Sequence, residues 1–172
     1  MGDEPAAGSV PEQSAGSVPE RSAGLLAVHH VGVTVTDLER SLRFWGRLTG
    51  ASPRDRRSLA GPGVGRLVGY PDVRIDRAWL DFPGGVALEL LQYLEPIDPP
   101  YPEGTAHPGN IHLCLGVDDV DVARDHALAC GARPVGGPID VAAGPQAGAR
   151  VAYVRDPDGI TIELFQSPDR PR

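Results

Sequence analysis

Lysine is absent from this chain of 172 residues, and all 16 of its basic residues are arginines. The arginines are scattered among 23 acidic residues, which gives a formal net charge of -7 and a sequence pI near 5.1. Binding to nucleic acid or to an anionic membrane surface requires a concentrated basic patch. The sequence therefore argues against both kinds of partner.

Cysteine and long apolar runs are also scarce. The two cysteines, Cys114 and Cys130, form neither a CxxC motif nor the disulfide framework of a secreted domain, so a reducing compartment is expected. No run approaches the ~18 apolar residues of a membrane-spanning helix. The N-terminus lacks the basic start and apolar core of a signal peptide. We therefore expect a soluble, cytoplasmic protein.

An octapeptide repeat occupies residues 7–22, which read AGSVPEQS and then AGSVPERS. A segment composed of Ala, Gly, Ser, Pro and Glu cannot bury enough apolar surface to offset the entropy lost on ordering. We predict that residues 1–24 form a disordered tail. The rest, residues 25–168, has the length of one compact domain.

Two copies of a βαβββ pattern are predicted within this domain. In module one, residues 26–93, a strand and a helix from a Thr36 cap to Gly50 precede the strands RLVGYP, DRAWLDF and VALELLQ. In module two, residues 110–167, a strand and a helix that stops at Gly131 precede ARPVGGPIDV, ARVAYVRD and GITIELFQ. The proline-rich segment 94–109 is a linker or a lid.

Superposing the two modules aligns one histidine and one glutamate from each. HVGVTVTDLERS from His30 matches HLCLGVDDVDVA from His112, and GVALELLQ around Glu89 matches GITIELFQ around Glu163. Side chains alternate across a strand, so each glutamate points away from its apolar neighbours. Each module thus begins with a strand that carries a histidine and ends with a strand that carries a glutamate.

These four residues, His30, Glu89, His112 and Glu163, are candidate metal ligands. A half-buried carboxylate needs a cation partner, and neither GVALELLQ nor GITIELFQ contains an arginine. Two imidazoles and two carboxylates neutralise a divalent ion and leave two octahedral positions for water or substrate oxygens. The donor set suits Ni, Co, Mn, Fe or Zn, and the sequence does not choose among them.

The remaining histidines and Cys114 are assigned other roles. His29 is adjacent to His30 and is expected to face the other side of the strand, in the core or behind a ligand. His107 and His126 are expected at the surface or in structural roles. Cys114, two residues beyond the histidine of its strand, is expected to line the metal cavity without acting as a nucleophile.

Four segments resemble the vicinal oxygen chelate superfamily, which includes glyoxalase I, methylmalonyl-CoA epimerase, extradiol dioxygenases and bleomycin resistance proteins. They are HHVGVTVTDLERSLRFW, GVALELLQY, GNIHLCLGVDDVD and RDPDGITIELFQ. The resemblance implies an α+β fold in which two tandem βαβββ modules form a U-shaped, barrel-like mixed sheet around a metal cleft. It also places the family's four metal-binding positions on His30, Glu89, His112 and Glu163.

The resemblance further implies a glyoxalase I-like lyase or isomerase, or an epimerase, that acts through a metal-stabilised enediolate on a small-molecule substrate that chelates the ion through its oxygens. Glu163 is then the expected proton-transfer base, with Glu89 as its partner on the other side of the substrate. Two alternatives stay open: an iron-dependent extradiol-type dioxygenase, and a resistance protein that binds an antibiotic or metabolite without catalysis. A homodimer is expected, and the site lies within one chain or is shared by two.

Overall fold

The structure of the protein is a computed structural model that describes residue 24 and residues 27–169. The predicted tail, residues 1–24, lies outside this part of the chain except for Gly24. Within residues 27–169, no helix is both long enough and apolar enough to cross a membrane.

Module one forms a four-stranded sheet with two helices. Its elements are β1 (His30–Thr34), α1 (Leu38–Thr49), β2 (Pro53–Ala60), α2 (Pro62–Val68), β3 (Arg74–Asp81) and β4 (Ala87–Glu95). The strand order is β1-β4-β3-β2, with β1 parallel to β4 and the other pairs antiparallel. The first and last strands of the module are therefore neighbours.

Module two repeats this topology. Its elements are β5 (His112–Val117), α3 (Val120–Cys130), β6 (Arg133–Pro134), β7 (Ile139–Asp140), β8 (Arg150–Arg155) and β9 (Thr161–Gln166). The strand order is β5-β9-β8-β6, with β7 also paired to β8 and with β5 parallel to β9. The predicted α+β fold of two modules is confirmed. Over residues 27–169 no strand of one sheet pairs with a strand of the other, so the sheets do not close into a barrel.

The prediction of a strand at RLVGYP is wrong. The first half of this segment lies in α2, which begins at Pro62 and ends before Gly69, a residue with φ of 81°. Proline suits the first turn of a helix and glycine suits a left-handed cap. The second strand is instead β2, in PRDRRSLA, whose charged side chains at an edge of the sheet hide the usual apolar alternation.

The helix ends are mostly as expected, with one shift. Gly50 and Gly131 cap α1 and α3 with φ of 74° and 109°, as predicted. The N-cap of α1 is Asp37, whose carboxylate accepts from the backbone of Arg40, and the prediction of Thr36 is wrong by one residue. Thr36 has another partner, described below.

One hydrophobic core joins the two modules. It combines the apolar face of the first sheet and of α1 with the apolar face of the second sheet and of α3. Trp45, Leu80, Leu90, Ile162 and Leu164 are all essentially inaccessible to solvent. Because side chains alternate along strands, the opposite face of each sheet points away from this shared core.

Asp158 fixes the loop before β9 to the start of α1. Its carboxylate accepts four hydrogen bonds, two of them from Thr36 and one each from Arg40 and Ser41. The side chain is 5% exposed. Burial alone would raise the pKa of Asp158, but these hydrogen bonds lower the pKa overall. The anion is therefore the form that joins the two modules.

Replacing Asp158 should loosen the contact between the modules. We expect Asp158→Ala to lower the free energy of unfolding at pH 7 by about 3 kcal/mol, because it leaves the partly buried Arg40 without its carboxylate. Chemical denaturation measures this change. Asp125→Ala, at a carboxylate that is 80% exposed, is the control and should change little.

The same contact predicts a pH dependence. A lowered pKa means that the contribution of Asp158 is complete above the pKa of an unfolded aspartate, about 4, and disappears as pH falls toward the folded-state pKa. The stability difference between wild type and Asp158→Ala should therefore shrink as pH falls from 5 to about 3. A difference that stayed constant over that range would contradict this role.

Candidate metal centre

The first candidate pair lies on the polar face of module one. Parallel pairing of β1 with β4 aligns His30 with Ala87 and Gly32 with Glu89, which brings the histidine and the glutamate to one face. Nε2 of His30 lies 3.4 Å from Oε2 of Glu89, and the two side chains are 37% and 14% exposed. A side chain on Gly32 would begin 3.6 Å from Oε2 of Glu89, an ordinary van der Waals distance, so Gly32 lies directly beside this carboxylate.

The second pair repeats this arrangement in module two. Parallel pairing of β5 with β9 aligns His112 with Thr161 and Cys114 with Glu163. Nε2 of His112 lies 2.9 Å from Oε2 of Glu163, with exposures of 43% and 18%. In both modules the same imidazole nitrogen therefore faces a carboxylate oxygen on the solvent side of the sheet.

The four candidate ligands form two pairs and not one cluster. Within residues 27–169, no group of three His, Cys, Asp or Glu side chains is close enough to hold a metal ion. Each pair lies on the face of its sheet that points away from the shared core. One copy of the chain therefore presents two separate halves of the predicted donor set.

Arg77 is a neighbour of the site that the sequence argument missed. It lies on β3, and its Nη1 is 3.4 Å from Oε1 of Glu89, while its Nη2 donates to Asp55 at 2.8 Å. The argument that Glu89 lacks a cation partner is thus wrong, because the partner comes from the adjacent strand and not from GVALELLQ. Cross-strand neighbours of this kind are invisible to a linear reading of one strand.

Trp79 completes the polar face of module one. Its ring lies edge-on to His30 at a centroid distance of 4.8 Å, and the guanidinium groups of Arg54 and Arg77 lie 5.3 and 5.4 Å from the ring centroid. Arg54 also forms a bidentate ion pair with Asp81. The first histidine therefore lies against an aromatic ring flanked by two cations.

The corresponding face of module two is less polar. Tyr153 lies opposite Glu163 on the neighbouring strand, as Trp79 lies opposite the glutamate of module one, and its ring is 5.4 Å from that of His112. The pKa of Cys114 is raised to about 11, first by burial and then by the charge of Glu163 and a hydrogen bond with it. The pKa of Tyr153 is also raised, first by burial and then by Glu163. Both neighbours therefore remain protonated and uncharged at neutral pH.

The other histidines fall outside the two pairs. His29 precedes β1 and is exposed, not in the core, and its Nδ1 lies 2.8 Å from Nδ1 of His30. Both rings contact Trp79, so the expected opposite orientation does not hold before the strand begins. His107 is exposed on the connecting segment, and His126 contacts the backbone oxygen of Arg47, as expected for structural groups.

A cavity of about 620 Å³ lies beside the edge of β1. Its walls come from β1, the end of β4, the proline-rich connecting segment and the loop before β9, and include Tyr70, Tyr93 and Tyr101. None of the four candidate ligands lines it. The predicted linker or lid therefore covers the edge of β1 and leaves the polar faces of both sheets open.

Comparisons with known proteins extend these observations. A family model described as the Glyoxalase/Bleomycin resistance protein/Dioxygenase superfamily matches residues 29–153, which include His30, Glu89 and His112 but end before Glu163. The chain is 32% identical over 147 residues to a 2-epi-5-epi-valiolone epimerase from Actinomyces sp., covering 83% of this chain and 80% of that protein. It is 30% identical over 146 residues to a lactoylglutathione lyase from Haemophilus influenzae, covering 83% and 93%.

A solved structure agrees with the fold. A glyoxalase family protein from Bacillus cereus superposes with a TM-score of 0.72 at 23% identity, covering 88% of this chain and 99% of that protein. This likeness supports the two-module architecture and says nothing about a substrate.

Cys114 reports on the charge of Glu163. In metal-free protein carrying Cys130→Ser, we expect alkylation of Cys114 by iodoacetamide to be slow at pH 8, because a pKa of about 11 leaves little thiolate. Glu163→Gln should speed alkylation at pH 8 to 9, since one cause of the raised pKa is removed while burial remains. The pH profile of the rate, followed by mass spectrometry, tests this. Equal profiles would show that Glu163 does not act on the thiol.

Proposed function

Because the chain belongs to the Glyoxalase/Bleomycin resistance protein/Dioxygenase superfamily, we propose that it is a metal-dependent lyase, isomerase or epimerase. Its substrate is a small molecule with two adjacent oxygens, one of them a carbonyl. The observation that carries the proposal is the repeated pair of imidazole Nε2 and carboxylate Oε2 at 3.4 Å in module one and 2.9 Å in module two. The epimerase and the lyase to which the chain is similar support these reaction classes.

The donor set fits a divalent ion such as Ni, Co, Mn, Fe or Zn. His30 and His112 would supply neutral imidazoles, and Glu89 and Glu163 would supply carboxylates that balance the ion's charge. In each pair Nε2 and Oε2 already face one another, so an ion could lie between them with little change of rotamer. A bound ion would supply Lewis-acid polarisation of the substrate carbonyl and so acidify the neighbouring C–H bond.

A second copy of the chain would complete the site. The polar faces of both modules point away from the shared core, and one copy does not bring the two pairs together. In a symmetric homodimer, the His30–Glu89 face of one copy would meet the His112–Glu163 face of the partner, and the two-fold axis would generate two equivalent sites.

Glu163 would then be the residue that removes and returns the substrate proton. Its neighbours Cys114 and Tyr153 stay uncharged, while Glu89 is held by Arg77 and through it by Asp55. Glu163, whose carboxylate is not restrained by Arg77, is freer to move toward a substrate carbon. Return of the proton by Glu163 to the adjacent carbon is isomerisation. Epimerisation requires a proton on the opposite face of the same carbon, which Glu89, on the other side of the substrate, would supply.

A complementation experiment tests the shared site. One variant carries His30→Ala with Glu89→Gln, and a second carries His112→Ala with Glu163→Gln. Each alone should bind little Ni or Co, but in a refolded equimolar mixture half of the dimers are mixed, and each has one complete site. We expect recovery of about one quarter of wild-type high-affinity metal sites by calorimetry. A mixture that recovers none, beside wild type that binds metal as a dimer, would place the site within one chain.

Exchange of a substrate hydrogen tests the base. Metal-loaded wild type should exchange the carbon-bound proton of an α-hydroxy ketone or a 2-oxoaldehyde hemithioacetal with deuterated water, as followed by NMR. Glu163→Gln should slow the exchange by about 100-fold or more, because a general base contributes that much. Glu89→Gln is the matched variant and should lose less. Oxygen consumption with catechols, without any exchange, would instead indicate a dioxygenase.

A further inference from the structure

Arg77 belongs to a small ionic cluster on the polar face of module one. The cluster consists of Arg57, Arg77, Asp55 and Glu89. Asp55 is shared, because its two carboxylate oxygens contact one arginine each. A register shift in β2 between Arg54 and Arg57, with φ of 49° at Asp55, places this carboxylate beside Arg77. Two cations and two carboxylates therefore balance one another in the metal-free chain.

Metal binding would disturb this balance. If Glu89 gives its charge to a divalent ion, as the proposed function requires, two arginines are left with one carboxylate between them. Arg77 is 17% exposed, and its Nε is buried without a hydrogen-bond partner. Arg77 would keep Asp55 on its Nη2, but its Nη1 would lose Glu89, and a largely buried guanidinium favours a replacement anion at that position. The nearby Arg54 and Asp81 do not help, because they already neutralise each other.

We propose that the substrate brings this anion: Arg77 binds a carboxylate that the substrate carries beyond its two metal-chelating oxygens. The proposal rests on the proposed function and narrows its substrate class to acids. Guanidinium is suited to the task because its planar donors bind a carboxylate through two parallel hydrogen bonds. Trp79 supports the side chain, because the guanidinium carbon of Arg77 lies over its ring at 5.4 Å from the centroid.

Module two has no counterpart to this arginine. Arg77 pairs with Leu91, two residues after Glu89, and the equivalent position beside Phe165, two residues after Glu163, is Val151. One glutamate of the assembled site would therefore have an arginine beside it, and the other would have Val151 and Tyr153. Arg155, farther along the same face of module two, is already paired with Glu103. The expected substrate has a single carboxylate at one end and an uncharged or apolar group at the other.

Two hydroxamates of equal length test the proposal on cobalt-loaded protein. Hydroxamates chelate a metal through two adjacent oxygens. Succinic monohydroxamate adds a terminal carboxylate where butyrohydroxamate has a methyl group. The dissociation constant of each is read from the visible spectrum of Co²⁺, which requires no turnover. Wild type should bind the carboxylate probe at least about tenfold more tightly, the value of one charge-assisted contact.

Variants test whether the preference for the carboxylate probe is due to Arg77. Arg77→Met keeps the length of the side chain and should reduce the preference to less than about threefold. Arg77→Lys keeps the charge without the planar fork and should retain part of it. Arg54→Met, on the same face and against the same tryptophan but paired with Asp81, is the matched control and should retain all of it.

The outcomes separate this inference from the function on which it rests. If butyrohydroxamate changes the cobalt spectrum but the carboxylate adds no affinity in wild type, the carboxylate proposal fails and the metal site stands. A preference that survives Arg77→Met also overturns it. If the protein takes up no cobalt, or neither hydroxamate perturbs bound cobalt, the proposed metal site fails and the inference fails with it.

Discussion

Parallel pairing between the first and last strand of each module is the constraint on which the rest of the structure depends. It places His30 beside Glu89 and His112 beside Glu163 in the same relative register. Because side chains alternate, the same pairing sends the neighbouring apolar residues to the other face, where they build the core. A shift of either pair by one residue would bury the polar groups and expose the core, so packing and ligand placement are determined together.

The loop before β9 fixes how the two modules meet. Asp158 reaches from module two to the first turn of α1, and hydrogen bonds from Arg40 and Ser41 hold it there. That contact lies on the side of the helices and the shared core. The modules are thus joined on the core side of their sheets, and both His–Glu faces point away from that contact. The shared site that we propose for a dimer would follow from the same geometry that joins the modules.

The sequence predicted the parts of this structure that leave local or repeated signals. Glycines at helix ends and the recurring His-then-Glu pattern are such signals, and both helices capped by Gly50 and Gly131 end as predicted. The strand β2 was missed because its charged side chains at a sheet edge need no apolar alternation. Arg77 was missed because its relation to Glu89 is created by strand pairing across twelve residues. The sequence could not show whether the two His–Glu pairs come together, because that depends on how the modules pack and leaves no local pattern.

The residues that differ between the two modules bear on how a substrate would be oriented, whereas the residues that they share do not. The shared His and Glu positions explain how an ion could be held, but a site symmetric in every respect would treat both ends of a substrate alike. The tryptophan and arginine of β3 stand where β8 has Tyr153 and Val151, so the arginine beside Glu89 has no equivalent at the matching position of module two. In the proposed site, the repeated His and Glu residues would hold the ion, and the residues that differ between the modules would orient the substrate. A bound substrate would be oriented by the unmatched residues, and that orientation decides which carbon faces Glu163.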